Sequence, residues 1–235
     1  MAGPDGTVRL GPVDNRPSPH SFPPPEVMPS LNPNALAEAQ SSSEMFDVMC
    51  PPTAGFDVYK DRPVPTGESK TRGVVHQLKI WHRSVHVWLV DPKRSLVALQ
   101  KRSPNKDTFP NRWDISAAGH IGSGDESRPT AVRELAEELG VICVEEDLDF
   151  LGTVPAEQAD LGGCNCFEDV YVLRCDSESI AFAVGEAEVS AVAWMPIGEL
   201  EEKLAAANDP TVVPRTQTYR DAFFRHLRDE HGCVW

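Results

Sequence analysis

The chain has 235 residues, of which 40% are hydrophobic and 25% charged, and its formal net charge is −14 at pH 7. This length and hydrophobic content support one packed domain plus a tail. The acidic balance argues against direct binding to nucleic acids or to anionic membrane surfaces, because both attract basic proteins. The sequence also lacks the ~20-residue apolar run of a membrane-spanning helix. We therefore expect neither nucleic acid nor membrane as a direct partner.

The six cysteines are irregularly spaced, in a chain too long to need disulfides for its stability. Reduced thiols and a cytoplasmic location are the expected interpretation. Cys164 and Cys166 could form a redox or metal-binding pair. Because the sequence shows no second Cys/His pair beside them, we favour ordinary thiols.

The first 44 residues differ in composition from the rest. Prolines recur from Pro4 to Pro33 and are followed by three serines, with almost no apolar periodicity. Such a segment buries too little apolar surface to offset its ordering entropy, so we predict a disordered tail over 1–44 and a folded domain over 45–235. Organellar targeting by the tail is a weaker alternative, because transit peptides avoid acids and the tail contains Asp5 and Asp14.

From residue 45 onward, short apolar runs and turn signals alternate with helical patterns. Strands are predicted at 45–49, 85–90, 96–101, 113–121, 150–154, 167–173 and 189–194. Residues 50–73 are predicted to form a loop, and helices are predicted at 127–139, 197–207 and 218–228. This order predicts an α/β fold, an α/β/α sandwich with a mixed β-sheet.

The helix predicted after residue 126 has clear end signals. Ser127 is a plausible N-cap, Pro129 lies in the first turn, and Gly140 supplies a left-handed stop. At about 100° per residue, its apolar side is made by Val132, Leu135 and Leu139.

Three carboxylates, those of Glu134, Glu137 and Glu138, fall on the opposite side of this helix. We therefore expect them to face outward together. Like charges at these spacings repel, so the cluster favours a bound Mg²⁺ or Mn²⁺, hard ions that take oxygen ligands. A solvated acidic helix surface is the alternative.

The wider pattern is specific. A glycine, Gly119, is followed after five residues by an acid, Asp125, and after seven more by Arg-Glu-Leu-x-Glu-Glu-x-Gly-Val from Arg133 to Val141. A chance match at its six strictest positions is on the order of one in 10⁷ per starting point. The stretch resembles the Nudix box, the signature of hydrolases that cleave nucleoside diphosphates linked to another moiety, and related diphosphates. It departs in having Asp125 rather than Glu, with Glu126 directly behind it.

The resemblance implies a Nudix fold and a metal-dependent hydrolase. Mg²⁺ (or Mn²⁺) would be held by Glu134 and Glu138, with Glu137 assisting and the backbone carbonyl near Gly119 completing the shell. Arg133 would pair with the helix carboxylates and orient them; a weak surface pair with Glu137 is the alternative.

A closer resemblance is carried by the runs RGVVHQLKIWHRSVHVWLV, LQKRS, KDTFPNRWDISAAGHIGSGD and FEDVYVL. From about residue 45 to the C-terminus the chain resembles the isomerase-like branch of the Nudix superfamily. That branch includes type 1 isopentenyl-diphosphate isomerase and related plant and bacterial hydrolases. In the isomerase, residues corresponding to His76, His82, His120 and Glu168 surround a metal. The resemblance implies such a group here, although isolated histidines are more often structural.

The residue before the Gly-His pair separates two chemistries. In the isomerase it is a cysteine that transfers protons to and from carbon, whereas here it is Ala118, whose methyl group can do neither. The helix carboxylates that hydrolysis needs are all present. We therefore expect a hydrolase acting on a nucleoside diphosphate derivative or on an isoprenyl diphosphate. Isopentenyl-diphosphate isomerase-like activity, or a non-catalytic binding domain, is the alternative.

Other side chains are candidates for the same site. A general base outside the box is expected; Glu168 and Glu188 are candidates, and we favour Glu168. The small-molecule diphosphate could be bound by Lys101, Arg102 and Lys106, by the histidines named above, or by both, the alternative for the cations being a solvated loop. Trp81 and Trp113 could line a pocket, although core packing is more common.

Overall fold

The computed structural model describes residues 41–106, 108–184, 188–206 and 209–235. Most of the predicted tail therefore lies outside the described residues. The strands are β1 (Met45–Met49), β2 (Pro65–Thr71), β3 (His82–Asp91), β4 (Leu96–Arg102), β5 (Trp113–Asp114), β6 (Ala117–His120), β7 (Leu148–Glu157), β8 (Asn165–Arg174) and β9 (Val189–Pro196). The helices are α1 (Arg72–Gln77), α2 (Ser127–Leu139), α3 (Ile197–Ala205) and α4 (Gln217–Asp229).

Seven of the described strands form one mixed sheet in the order β5-β4-β3-β8-β7, with β6 paired to β3 and β9 paired to β4. The central pair, β3 and β8, is parallel, and the other pairs are antiparallel. β1 and β2 form a separate two-stranded ribbon. The mixed sheet confirms the fold class that was expected from the sequence.

Strand β3 is buried along nearly its whole length because helices cover both faces of the sheet. Val85, Val87 and Leu89 belong to the core that packs against the apolar side of α2. Trp88 and Val90 belong to the other core, which includes apolar residues of α3 and α4. Each fully buried side chain of this size contributes about 1.5–3 kcal/mol of hydrophobic stabilisation. The sheet is therefore sandwiched between α2 on one face and α3 with α4 on the other.

Two elements occur where a loop was predicted over 50–73. The β2 segment is polar and mostly exposed, and it is held by pairing with β1 rather than by an apolar pattern. Helix α1 is six residues long and buries only Val75, so it leaves no helical periodicity to detect. The predicted strand over 113–121 is also divided. Ser116 interrupts it, because its hydroxyl accepts a hydrogen bond from the backbone N–H of Leu89 and donates one to the carbonyl of Ala98.

The ends of α2 were predicted only in part. Gly140 caps the helix in the left-handed conformation, with φ of 66°, as expected. The predicted N-cap is wrong: Glu126 occupies that position without a side-chain cap, and Ser127 is the first helical residue. The Ser127 hydroxyl instead accepts a hydrogen bond from Tyr171 of β8. A contact to the sheet has replaced the local cap.

The folded part begins slightly before the predicted boundary at residue 45. The carbonyl of Ser42 accepts a hydrogen bond from the N–H of Gly73, and that of Glu44 accepts one from the N–H of Arg72. The Arg72 guanidinium also lies 3.3 Å from the Glu44 carboxylate. Residues before β1 therefore fasten the start of α1.

We predict different outcomes for two truncations. Removing residues 1–40 is expected to leave the melting temperature unchanged, because the composition of that segment offers little to pack. Removing residues 1–44 deletes the acceptors for Arg72 and Gly73 and should lower the melting temperature by about 5 °C. Thermal unfolding followed by circular dichroism measures both. Equal melting temperatures for the two truncated chains would contradict the assignment of residues 42–44 to the domain.

Asp114 of β5 joins the sheet to the segment that precedes α4. Its carboxylate accepts hydrogen bonds from Arg102 of β4, at 3.0 Å, and from Arg215. Burial alone would raise the pKa of Asp114, but the guanidinium groups of Arg215 and Arg102 outweigh it and lower the pKa to about 2. The charged carboxylate is therefore the form that the fold stabilises.

This pKa predicts sensitivity to acid. A carboxyl with a depressed pKa in the folded state stabilises the fold above its ordinary pKa near 4, and this contribution is lost as the pH falls towards 2. Asp114→Asn should lower the free energy of unfolding at pH 7 by roughly 3–5 kcal/mol, because it leaves buried guanidinium groups unpaired. It should also flatten the stability profile between pH 4 and 2. Urea unfolding across pH measures this, with exposed Asp221→Asn as the control; a parallel profile for Asp114→Asn would contradict the assignment.

Candidate active site

A cleft of about 150 Å³ opens beside β6. Its walls come from α1, β3, β6 and α2, from the connection between β7 and β8, and from the segment before α4. The parts of the chain that meet here are far apart in sequence. The cleft therefore gathers charged side chains that the linear pattern does not place together.

Two of the helix carboxylates lie at this cleft in different environments. Glu134 lines it, with its side chain 14% exposed, whereas Glu138 is buried beside it. Glu137 is 64% exposed. The expectation that the three carboxylates face outward together is wrong. The helical wheel gave the right angular cluster, but α2 packs so closely against β6 that Glu138 is buried and Glu134 is only partly exposed.

The buried carboxylate of Glu138 is held by the sheet. Its Oε2 accepts hydrogen bonds from the side-chain amide of Gln100, at 2.9 Å, and from the N–H of Ala118, at 2.8 Å. Its Oε1 is buried with no hydrogen bond and lies 3.8 Å from Nζ of Lys106. Burial raises the pKa of Glu138, although Lys106 opposes this. One oxygen is thus fixed and the other remains available.

Glu134 lies directly against the backbone of β6. A Cβ added to Gly119 would overlap its carboxylate, so only glycine permits this approach. Burial and the neighbouring charge of Glu138 raise the pKa of Glu134 to about 7, against the opposing effect of Arg133. Arg133 lies 3.2 Å from Glu134, 3.7 Å from Asp125 and 4.0 Å from Glu137.

These residues fit a divalent cation. Two shielded carboxylates with raised pKa values carry negative charge that a cation would neutralise, and Oε1 of Glu138 is a ligand atom without a hydrogen-bond partner. The absence of a side chain at Gly119 lets the Glu134 carboxylate lie against β6. Hard oxygen donors of this kind suit Mg²⁺ or Mn²⁺.

Cationic side chains line the same cleft. Arg102 is tied to Asp114, and Lys106 forms an ion pair with Glu188 while facing Glu138. Two cations were not predicted, Arg72 and Arg215. Of the predicted phosphate-binding residues, Arg102 and Lys106 line the cleft and Lys101 does not.

The three predicted histidines come together with a thiol. Ligand atoms of His76, His82, His120 and Cys164 lie within 4.8 Å of one another, and the imidazole centroids are 5.0–5.4 Å apart. Nδ1 of His82 lies 2.8 Å from the carbonyl of Ile80, which turns its Nε2 towards the group. This arrangement is a plausible binding site for a metal ion.

The sulfur chemistry of this group differs from what the sequence suggested. The two sulfurs of Cys164 and Cys166 are 3.1 Å apart, and Nε2 of His82 is 3.1 Å from the Cys166 sulfur. The hydrogen bond from Cys166, with others from His120 and His82, outweighs burial and holds the pKa of Cys164 well below its usual range. Both cysteines are free thiols, as expected, and three histidines give Cys164 the partners that the sequence spacing did not reveal.

Glu168 does not join the histidines, in contrast to what the isomerase resemblance implied. Its carboxylate is buried, with Oε1 3.6 Å from His86 and 3.7 Å from Arg215. Burial raises the pKa of Glu168 to about 8, although Arg215 opposes this. The buried Tyr219 hydroxyl, which accepts a hydrogen bond from Trp88, lies 3.2 Å from His86 and extends the network. Cys164 occupies the place that was expected for Glu168.

Several residues of the site left no usable signal in the sequence. Asp114 and Arg215 are about a hundred positions apart, and neither belongs to a periodic pattern. Gln100 reads as part of an apolar strand. The two tryptophans follow the simpler expectation of core packing: Trp81 contacts Met49 and Phe167, and Trp113 packs on the main core.

Comparison with known proteins agrees with this geometry. The NUDIX domain family matches residues 80–216 of the chain. The Arabidopsis thaliana protein named Nudix hydrolase 3 is 40% identical over 164 residues, which cover 68% of this chain but only 21% of that protein. The prenyl-diphosphate phosphatase of Methanosarcina mazei is 30% identical over 129 residues, or 53% of this chain and 69% of that protein.

A solved structure supports the fold. The DR0079 protein of Deinococcus radiodurans superposes with a TM-score of 0.51 at 21% identity, covering 77% of this chain and 98% of that protein. In the part of the chain that the structure describes, no helix combines the length and apolar character that a bilayer span requires. The family match covers more than half of the chain and includes β3 to β9, α2 and the helix carboxylates. The chain therefore belongs to the Nudix domain family.

Proposed function

We propose that this protein is a metal-dependent hydrolase that cleaves a diphosphate linkage. The observation that carries the proposal is the pair of Glu134, which lines the cleft, and the buried Glu138, together with four cations that line the same cleft, Arg72, Arg102, Lys106 and Arg215. The cationic side chains attract an anionic substrate. The carboxylates favour a bound metal ion, which the phosphates of the substrate would also coordinate. Neither group alone favours hydrolysis over anion binding, but their combination supports hydrolysis.

Glu134 and Glu138, with Gly119 leaving space for them, would hold Mg²⁺ or Mn²⁺. When bound, the ion would neutralise diphosphate charge and favour deprotonation of the attacking water. Arg133 orients Glu134 through its 3.2 Å contact. Glu137, being exposed, would assist through Arg133 rather than as a buried ligand. Arg102 and Lys106 would position the phosphates, and His76, His82, His120 and Cys164 would hold a second ion at the other side of the cleft.

The general base is better assigned to Glu188 than to Glu168. A general base acts in its ionised form, and burial raises the pKa of Glu168 to about 8, which disfavours that form. Glu188 is ion-paired with Lys106, whose ammonium also lies 3.8 Å from Glu138, so Glu188 lies near the helix carboxylates. We therefore propose Glu188 as the base, whereas the sequence favoured Glu168.

An isoprenyl diphosphate is the favoured substrate, with a nucleoside diphosphate derivative as the alternative. The relative in Methanosarcina mazei is named for prenyl diphosphates, which supports this choice. The free thiols of the cysteines fit a reducing compartment, and an intracellular location remains a prediction.

We predict that Glu138→Gln lowers Mg²⁺-dependent turnover by roughly 10²–10⁴. Glutamine can still accept the hydrogen bonds of Gln100 and Ala118, but it lacks the charge that the cation requires. Glu126→Gln, at the exposed N-cap of the same helix, is the matched control and should cost less than tenfold. Phosphate release is measured for both variants together with melting temperature. Near-normal turnover in a folded Glu138→Gln variant would contradict the metal-binding role, and the carboxylates of α2 would then be purely structural.

The second prediction here concerns reaction type. Isomerisation needs one proton added to a carbon and another removed, and Ala118, which lines the cleft, offers only a methyl group and an N–H already bonded to Glu138. With isopentenyl diphosphate and Mg²⁺ we expect phosphate or diphosphate release and no dimethylallyl isomer. Product identification by mass spectrometry, with ADP-ribose as the nucleoside comparison, is the measurement. The isomer forming without phosphate release would overturn the hydrolase assignment, and Ala118→Cys tests whether a cysteine restores isomer formation.

A further inference from the structure

A second cluster of metal-binding side chains lies where α4 ends beside β7. Its members are Asp149 in β7, His226 in the last turn of α4 and His231 just after that helix. Their ligand atoms lie within 4.8 Å of one another. Strand β8 and its connection to β7 also contribute residues to the cleft. Those residues lie at or near this connection, roughly 20 Å along the strands from Asp149. The cluster is therefore separate from the candidate active site.

Both imidazoles present the same nitrogen to one carboxylate oxygen. Nε2 of His226 and Nε2 of His231 each lie 3.3 Å from Oδ2 of Asp149. Atoms bound about 2.0–2.1 Å from a tetrahedral Zn²⁺ are separated by roughly 3.3–3.4 Å, the edge of the tetrahedron. The two measured separations match two such edges.

The imidazole nitrogens lack the partners that buried polar groups normally have. Nε2 of His226 and both ring nitrogens of His231 are buried and make no hydrogen bond to any described residue. The His231 side chain is 0% exposed and that of His226 10% exposed. Burying an imidazole without a partner destabilises a fold, so these nitrogens indicate a ligand that satisfies them.

A hydrogen-bonded ion pair does not describe the arrangement, because neither Nε2 makes a hydrogen bond to Asp149 although each lies 3.3 Å from its Oδ2. Ring planes inclined at 66° with centroids 4.9 Å apart bring both Nε2 atoms to one point from different directions.

We propose that Asp149, His226 and His231 form a Zn²⁺ site that fastens the end of α4 to β7. Two imidazoles and one carboxylate suit Zn²⁺ better than Mg²⁺, which prefers oxygen ligands in octahedral geometry. Water would fill the fourth position. Because β7 is the last strand of its side of the sheet and the site is remote from the cleft, its role is structural. It secures the helix that packs across one face of the sheet.

Zinc content of the full chain tests the proposal. Purified protein is stripped with a chelator, reloaded with Zn²⁺, dialysed and assayed for bound metal by mass spectrometry. The wild type should retain one more equivalent than Asp149→Asn, because Asp149 is 40% exposed and its replacement removes a ligand without opening the core. Asp229→Asn, the same change at an exposed position on α4, is the matched control and should retain the wild-type amount. Equal zinc content in Asp149→Asn and the wild type would overturn the site.

A second readout separates this site from the cysteine-containing group in the cleft. Cobalt substituted for zinc should give the visible absorption bands of a tetrahedral ion. Only cobalt bound in the cleft can show a thiolate charge-transfer band, through Cys164. Asp149→Asn should keep that band and lose the absorption of cobalt bound by nitrogen and oxygen alone. Zinc at a hundredfold excess over its dissociation constant should raise the melting temperature of the wild type by about 5–10 °C more than that of Asp149→Asn. An identical shift in both would contradict the proposal. Mg²⁺-dependent turnover should be unchanged in this variant, so failure here leaves the proposed function intact.

Discussion

Helix α2 is held by its apolar side and by one buried carboxylate. Glu138 accepts hydrogen bonds from Gln100 of β4 and from the backbone of Ala118 in β6, so a single side chain joins the helix to two strands. An apolar residue would fill this place at lower cost, because burying a carboxylate requires several compensating interactions. Only Oε2 has hydrogen bonds, whereas Oε1 has none and lies 3.8 Å from Nζ of Lys106. A fold selected for stability alone would not leave that oxygen unsatisfied.

The remainder of the site follows from how closely α2 approaches the sheet. Glycine at position 119 lets the Glu134 carboxylate lie against the β6 backbone, where it lines the cleft. Three loop residues, Lys106, Glu188 and Arg215, also line the cleft. Asp114 forms an ion pair with Arg215. This pair stabilises the fold at neutral pH and also positions the Arg215 guanidinium in the cleft.

What the sequence predicted was local and periodic. The mixed sheet, α2 and its glycine stop follow from apolar alternation and turn residues, and the spacing from Gly119 to Val141 identified the helix carboxylates. The outward orientation of Glu138 was wrong because a helical wheel gives angles but not the depth at which a helix packs. The Asp114–Arg215 pair joins positions a hundred residues apart, and the approach of Cys164 to three histidines depends on how β8 pairs with β3. Neither is encoded in local spacing.

The backbone and the side chain of Ala118 have different roles. The backbone N–H of this residue is committed to Glu138, while its side chain lines the cleft. A substitution at this position therefore changes the chemistry offered to a substrate without removing the hydrogen bond that seats α2. The reverse also holds: altering Glu138 disturbs the helix and leaves the side chain at 118 in place. This strand therefore fastens α2 through its backbone and lines the cleft through its side chain.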